Sequence, residues 1–257
     1  MRITGPGIWG EPRDRNAAIK LLRRVVECGV NFIDTADSYG PEVSEELIAA
    51  ALYPYPATLV IATKGGLLRP GPGRWVPDCR PVHLRRACEN SLKRLKLGQI
   101  DLYQLHTVDP RVPLAESIGA LVDLQRERKV RHIGVSNVSL SQLTEALRLA
   151  GIVSVQNRYN LMDRASHHAI DACTRNGLAF LPWHPLAAGS ITEVAGSIKE
   201  IADRHGATPA QIALAWLLHR SPMVLPIPGT SSIEHFEENL ATAKIRLTDA
   251  EFSALRS

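Results

Sequence analysis

The chain has 257 residues, of which 45% are hydrophobic, 22% charged and only 5% aromatic, with a formal net charge of +4. Such a length and composition suit one sizeable folded domain over 1–257 and exclude a disordered or fibrous chain. The basic residues are scattered, which argues against a nucleic-acid surface, and no apolar run approaches the roughly 18 residues of a membrane span.

The opening stretch, MRITGPGIWGEP, reads as at most the tail of a first strand, so that strand is expected to be truncated. A helical pattern at 16–28 follows, then a strand at Asn31–Ala36, a helix at 44–52 and a strand at Leu59–Lys64. Residues 65–82 read as a long loop rich in Gly and Pro, with Trp75 near its centre as a lid or substrate wall. Helix and strand then alternate: helix 83–96, strand Asp101–His106, helix 113–127, strand Val130–Ser136, helix 139–150, strand Val153–Gln156, helix 166–176, strand Leu178–Trp183. A helix at 208–220, a strand at Met223–Pro228 and helices near 232–241 and 248–255 close the chain.

This alternation implies a parallel sheet covered by helices. Each strand ends in a group that can hydrogen-bond or ionise: Asp34, Lys64, His106, Ser136-Asn137, Gln156-Asn157, Trp183-His184 and Gly229-Thr230. A doubly wound sheet gathers ligands at one switch point and carries GxGxxG at its first turn, which is absent. A (β/α)8 barrel brings every carboxyl end to one mouth, so the expectation is an α/β TIM barrel.

The mouth would hold an acid (Asp34), a phenol (Tyr39), an amine (Lys64) and an imidazole (His106). An ammonium about 4 Å from a phenol favours phenolate by roughly 4 kcal/mol at an effective dielectric near 20. Lys64 is therefore expected to bring Tyr39 toward neutral pH, where a general acid works best, with Asp34 holding the lysine and His106 orienting a substrate oxygen. No acyl or phosphoryl nucleophile and no metal set fits; His167-His168 sits at a helix start without a carboxylate at ligand spacing. Cys28, Cys79, Cys88 and Cys173 show no CxxC spacing and read as buried free thiols of a reducing compartment, so a cytoplasmic protein is expected.

Several motifs resemble the aldo-keto reductase family in the same order along nearly the whole chain. GVNFIDTADSYG is similar to the family's aspartate and tyrosine motif, VIATKGG to its lysine motif, and DLYQLH to its histidine motif. IGVSN and VQNRYN resemble the segments holding the nicotinamide carboxamide, which implies that role for Ser136, Asn137 and Gln156. LPWHPLAAG is similar to the segment that stacks on the nicotinamide, implying Trp183 at the ring with Pro185 and Leu186 near the pyrophosphate. IPGTSSIEHFEEN resembles the adenosine-binding segment, implying Gly229, Thr230, His235, Glu238 and Asn239.

The resemblance implies an NADP-dependent carbonyl reductase, with Trp9, Trp75 and His106 lining the pocket for a small aldehyde or ketone. Many members grip the adenosine phosphate with Lys and Arg, where this chain has Gly229 and His235. NADPH is thus expected ahead of NADH by a modest margin, with NAD possible. The branch resembled includes pyridoxal reductases, and a monomer without nucleic-acid or membrane partners is expected. The competing reading is a dinucleotide-binding barrel with little or no turnover.

Overall fold

The computed structural model describes residues 2–187 and 197–255 and divides into two compact units, Met1–Val153 and Ser154–Ser257. In the first unit Ile3 is buried, and residues Gly5 to Gly10 form a tight loop closed by the Gly5 N–H on the Gly10 carbonyl at 2.9 Å. Helix α1 (Arg15–Glu27) begins where the Asp14 carboxylate accepts the Ala17 N–H at 2.9 Å, and its Leu21 and Leu22 face the core. Strand β1 (Phe32–Asp34), helix α2 (Val43–Leu52) and strand β2 (Val60–Gly65) follow.

The region expected as one loop instead holds an antiparallel hairpin, β3 (Leu67–Gly71) and β4 (Arg74–Pro77). Its signal is hidden because Pro70 and Pro72 offer no N–H, and the register shifts between Leu68 and Gly71. Beyond it come α3 (Pro81–Leu95), β5 (Ile100–Leu105), α4 (Leu114–Arg126), β6 (Val130–Ser136) and α5 (Leu140–Leu149). Strands β1, β2, β5 and β6 form a parallel sheet in that order, paired as Ile33↔Ile61, Thr63↔Tyr103 and Gln104↔Gly134. Their runs are nearly continuous in apolar residues because both faces are covered: Ile61, Leu102, Tyr103, Leu105, Ile133 and Val135 are all buried.

Gly65 closes β2. The Tyr103 hydroxyl lies 2.1 Å from where its Cβ would be, so no side chain fits there.

In the second unit, strand β7 (Ile152–Gln156) pairs in parallel with β8 (Ala179–Phe180) through Ser154↔Ala179 and Val155↔Phe180. Between them, α6 (His167–Asn176) ends at Gly177, whose φ of 65° terminates the helix in a left-handed turn. The strand expected over Leu178–Trp183 is thus shortened to two residues, with one further bridge between Arg158 and Trp183. Pro182 has no N–H with which to continue the ladder. The strand expected over Met223–Pro228 is not formed either. One bridge, Phe180↔Val224, is made by the Phe180 N–H on the Met223 carbonyl and the Leu225 N–H on the Phe180 carbonyl, both 2.8 Å. Pro226 and Pro228 then interrupt the donors.

Helix α7 (Ser197–His205) was not anticipated, although Ile198, Ile201 and Ala202 recur at helical spacing and are buried. Helices α8 (Pro209–Arg220), α9 (Ile233–Ala241) and α10 (Asp249–Ala254) complete the unit, the first and last opened by capping boxes Thr208/Gln211 and Thr248/Glu251. Trp216 of α8 stacks between Tyr159 and Phe252, each ring centre 5.6 Å away. Among the described residues no helix is long and apolar enough to cross a membrane.

Candidate active site

Parallel pairing in constant register staggers Asp34, Lys64 and His106, at the carboxyl ends of β1, β2 and β5, by two residues from each strand to the next. Asp34 stands opposite Ala62, Lys64 opposite Gln104, and the His106 N–H donates to the Gly65 carbonyl at 2.9 Å. The four residues expected to carry the chemistry are therefore neighbours. Lys64 is wholly buried, and its Nζ donates to Asp34 Oδ2 and to the Thr35 carbonyl, both at 2.7 Å. It also stands 5.2 Å from the centre of the Tyr39 ring. Tyr39 and His106 meet edge to face with centres 5.8 Å apart.

Two partners of this set were not anticipated. Gln104 Nε2 donates to Asp34 Oδ1 at 3.2 Å, fixing the carboxylate oxygen that Lys64 leaves. The Ser38 hydroxyl shares a 3.3 Å hydrogen bond with His106 Nδ1. Gln104 alternates with apolar residues along β5 and could have been read as inward-facing; Ser38 lies in an irregular turn that pattern does not resolve.

The electrostatics overturn one expectation. Burial pushes the Tyr39 phenol above its ordinary pKa, and this outweighs the opposing pull of Lys64. The lysine is already committed to Asp34, which itself raises the phenol, so Tyr39 is protonated across the neutral range. Burial opposes the Lys64 charge, yet the Asp34 carboxylate and then Tyr39 hold its pKa above the usual value. His106 is driven well below the ordinary imidazole range by burial and then by Lys64, so it is neutral. The set at neutral pH is thus a protonated phenol, a neutral imidazole and a closed Lys–Asp ion pair.

Asp37, three residues beyond Asp34, behaves in the opposite way. Its Oδ1 is cut off from solvent and accepts no hydrogen bond, and burial followed by Glu45 raises its pKa well above the carboxylate range.

The hairpin supplies a wall. Trp75 of β4 meets both Tyr39 and His106 edge on, with ring centres 6.4 Å away in each case. Arg69 of β3 lies beneath it, its Cζ 3.7 Å from the Trp75 ring centre and 5.4 Å from that of Trp9. The expected pocket residues Trp9, Trp75 and His106 are thereby linked, through an arginine that sequence reading missed because the hairpin itself was missed. At the foot of the hairpin, Arg80 closes on Asp78 and Arg111 on Asp109. These four residues line a surface cavity of about 560 Å³ with Leu68, Val76 and Pro113.

Of the residues expected to hold a dinucleotide, two lie in the first unit. Ser136 is buried at the end of β6, and Asn137 follows in a left-handed conformation (φ 56°) with its Nδ2 on the His106 carbonyl at 2.9 Å. In the second unit Gln156 ends β7 and is buried, Trp183 is half-buried with the Arg158 guanidinium 5.7 Å from its ring, and Pro185 and Leu186 follow. Gly229 and Thr230 lead into α9, where Ser232 caps the His235 N–H at 3.2 Å. His235, Glu238 and Asn239 share one face of that helix. Glu238 accepts from the Thr208 hydroxyl, bracing the start of α8.

Within the second unit, the Trp183 face, the Gln156 amide at a strand end and the hydroxyls before the α9 N-terminus are groups of the kind that a dinucleotide takes. The carboxylate of Glu234 in the first turn of α9 offsets that attraction for phosphate. Among the described residues no group of three His, Cys, Asp or Glu is placed to hold a metal ion.

The Aldo/keto reductase family model matches residues 2–257. An uncharacterized oxidoreductase of Schizosaccharomyces pombe is 46% identical over 255 residues, covering 99% of this chain and 83% of that protein. Pyridoxine 4-dehydrogenase of Escherichia coli is 44% identical over 262 residues, covering 99% and 91%. Among solved structures, an aldo/keto reductase from Klebsiella pneumoniae in complex with NADP and acetate is 28% identical and superposes with a TM-score of 0.84 over 98% of this chain and 88% of that one. The fold class is theirs, a (β/α)8 barrel. With a model matched over almost its full length, the chain belongs to the aldo/keto reductase family and is an oxidoreductase.

Proposed function

We propose that the protein is an NADPH-dependent carbonyl reductase that converts a small aldehyde or ketone to its alcohol, with Tyr39 as the proton donor. The observation that carries this reading is the joint placement of a protonated Tyr39, a neutral His106 and the buried Lys64–Asp34 pair around the carboxyl ends of three adjacent strands. Ser136, Asn137 and Gln156 would hold the nicotinamide carboxamide, Trp183 its ring, Pro185 and Leu186 the pyrophosphate, and Gly229, Thr230, His235, Glu238 and Asn239 the adenosine end. Bound there, the reduced nicotinamide supplies hydride to the carbonyl carbon. A neutral His106 donates a hydrogen bond to the carbonyl oxygen and orients it. Tyr39 delivers its proton to that oxygen as charge builds there, and Lys64 stabilises the phenolate left behind. Because Lys64 is already held by Asp34 and the Thr35 carbonyl, it needs no rearrangement to do so.

NADPH is placed ahead of NADH by a small margin, since Thr230 and His235 offer no permanent cation to the adenosine phosphate. The kinship to pyridoxine 4-dehydrogenase makes pyridoxal a first compound to try. The test is turnover of small aldehydes with NADPH and with NADH, beside fluorescence titration of each cofactor. Tight cofactor binding without reduction of any aldehyde by the intact protein would remove the reductase reading in favour of a dinucleotide-binding barrel.

A further inference from the structure

Three arginines of the first unit are held by short-range partners around the hairpin, and one differs in kind. Arg80 closes its Nε and Nη2 on the Asp78 carboxylate at 2.8 and 2.7 Å. Arg111 does the same on Asp109 at 2.9 and 3.0 Å. This edge of a guanidinium is the one that matches two carboxylate oxygens. Among the described residues Arg69 has no carboxylate partner. Its Nη1 donates to the carbonyls of Ile8 (3.0 Å) and Ser38 (3.3 Å) and its Nη2 to that of Gly7 (3.2 Å), while its Nε–H has no acceptor. The residue is only 8% exposed.

A buried cation is ordinarily paired with an anion, because neutral carbonyl dipoles compensate only part of the lost hydration. Desolvation accordingly lowers the Arg69 pKa, with no opposing carboxylate. The aromatic faces of Trp75 and Trp9 add to the compensation without neutralising the charge. The position matters as much as the imbalance. Ser38, which Arg69 holds by its carbonyl, directly precedes Tyr39, and Trp75, on which Arg69 stacks, faces both Tyr39 and His106. A carbonyl compound bound with its oxygen at Tyr39 and His106 therefore lies beside a wall that carries an uncompensated positive charge.

We propose that Arg69 is a specificity-determining residue that selects carbonyl substrates bearing a second, anionic group, a carboxylate set against the Trp75 wall serving as counter-ion to the sealed guanidinium. The inference rests on the reductase reading and names the substrate class within it. Neutral substrates would make the same contacts with Tyr39 and His106 but leave the Arg69 charge without its counter-ion. Selection would then appear as a ratio between an anionic substrate and a neutral compound of the same shape.

The experiment compares kcat/KM for para-carboxybenzaldehyde and its methyl ester, with NADPH, in the intact protein and in Arg69→Gln and Arg69→Lys. The ratio is the readout because any disturbance of Tyr39 that affects both compounds cancels. The expected result is a preference of about tenfold or more for the carboxylate at low ionic strength, falling as salt screens it. Arg69→Gln should reduce that preference to about twofold or less, and Arg69→Lys should keep most of it. A ratio near one in the intact protein, or a ratio that survives Arg69→Gln, would overturn the proposal even if the glutamine variant were poorly folded, since the first measurement needs no variant. If the intact protein reduces neither compound, quenching of tryptophan fluorescence decides. Binding of para-carboxybenzaldehyde that is tighter than the ester and depends on Arg69 upholds the subsite and sinks only the reductase reading. Equal binding of the two compounds sinks the subsite.

Discussion

At the end of β2, Lys64 is wholly buried and donates to two fixed neighbours, the buried Asp34 carboxylate and the Thr35 carbonyl. In the segment 223–239 of the other unit, Thr230 is half-buried and His235 exposed, and the nearest carboxylate, Glu234, opposes any phosphate bound there. The first region is preorganised, so its groups are ready for charge to develop and tolerate little change. The second relies on solvated groups at a helix start, each contributing little, and can be altered one residue at a time. On the proposed reading, chemistry and cofactor choice are thus held with very different stiffness.

The largest test of this contrast is Tyr39→Phe. It is expected to lower kcat for aldehyde reduction by about 10²–10⁴-fold while cofactor affinity changes only a few-fold. Turnover that survives the substitution would show that the preorganised region is not the proton source. The pH dependence sharpens the point. A raised phenol pKa keeps Tyr39 protonated, so the rate of reduction should stay level from neutrality to about pH 10 and fall only beyond it. A decline centred near pH 7 would mean that Lys64 dominates over burial after all.

Lys64→Met comes next. Removing one partner of a buried pair leaves Asp34 uncompensated, which typically costs about 3–5 kcal/mol. Thermal or urea denaturation should show this loss, and adding Asp34→Asn should recover a substantial part of it. A single variant as stable as the parent would show that the pair is less buried than its geometry indicates.

Smaller again is His235→Arg in the solvated region. A permanent cation should raise the preference for NADPH over NADH by about tenfold, with kcat unchanged in order of magnitude. Equal dissociation constants for the two cofactors in this variant would place the adenosine phosphate elsewhere.

The smallest effect belongs to Asp37→Asn, and its sign is the informative part. The unfolded chain loses this proton near pH 4, whereas the folded chain keeps it well above that value. Stability supplied by the protonated Asp37 is therefore full below pH 4 and declines as pH rises toward the folded pKa. Asparagine carries no such penalty, so the variant should be as stable as the parent or slightly more so at pH 7, by up to about 1 kcal/mol. A clear loss of stability at pH 7 would mean that Asp37 is ionised and paired.

The legibility of this chain in sequence follows the same division. Strands such as Val130–Ser136 were readable residue for residue because parallel strands covered on both faces leave long apolar runs. Asp34, Lys64 and His106 were readable because each ends such a run. Much of what escaped lacked periodicity, while helix α7 went unread despite its helical spacing. Pro70 and Pro72 disguised a hairpin, and with it Arg69. Pro226 and Pro228 ended at one bridge what apolar content suggested was a full strand. The direction of the Tyr39 shift was also out of reach, since it depends on how much burial surrounds the phenol, a quantity that spacing does not carry.

The hairpin has one more consequence. Among the described residues, strands β3 and β4 pair only with each other, as a two-stranded sheet separate from the parallel one. Its replacement would break no rung of the ladder that positions Lys64 and His106. Grafting a different hairpin between Gly66 and Asp78 keeps that ladder but must replace the Arg69 bond to the Ser38 carbonyl and the Trp75 face against Tyr39 and His106, and a library built at those two junctions should yield far more folded members than one built in β2 or β5.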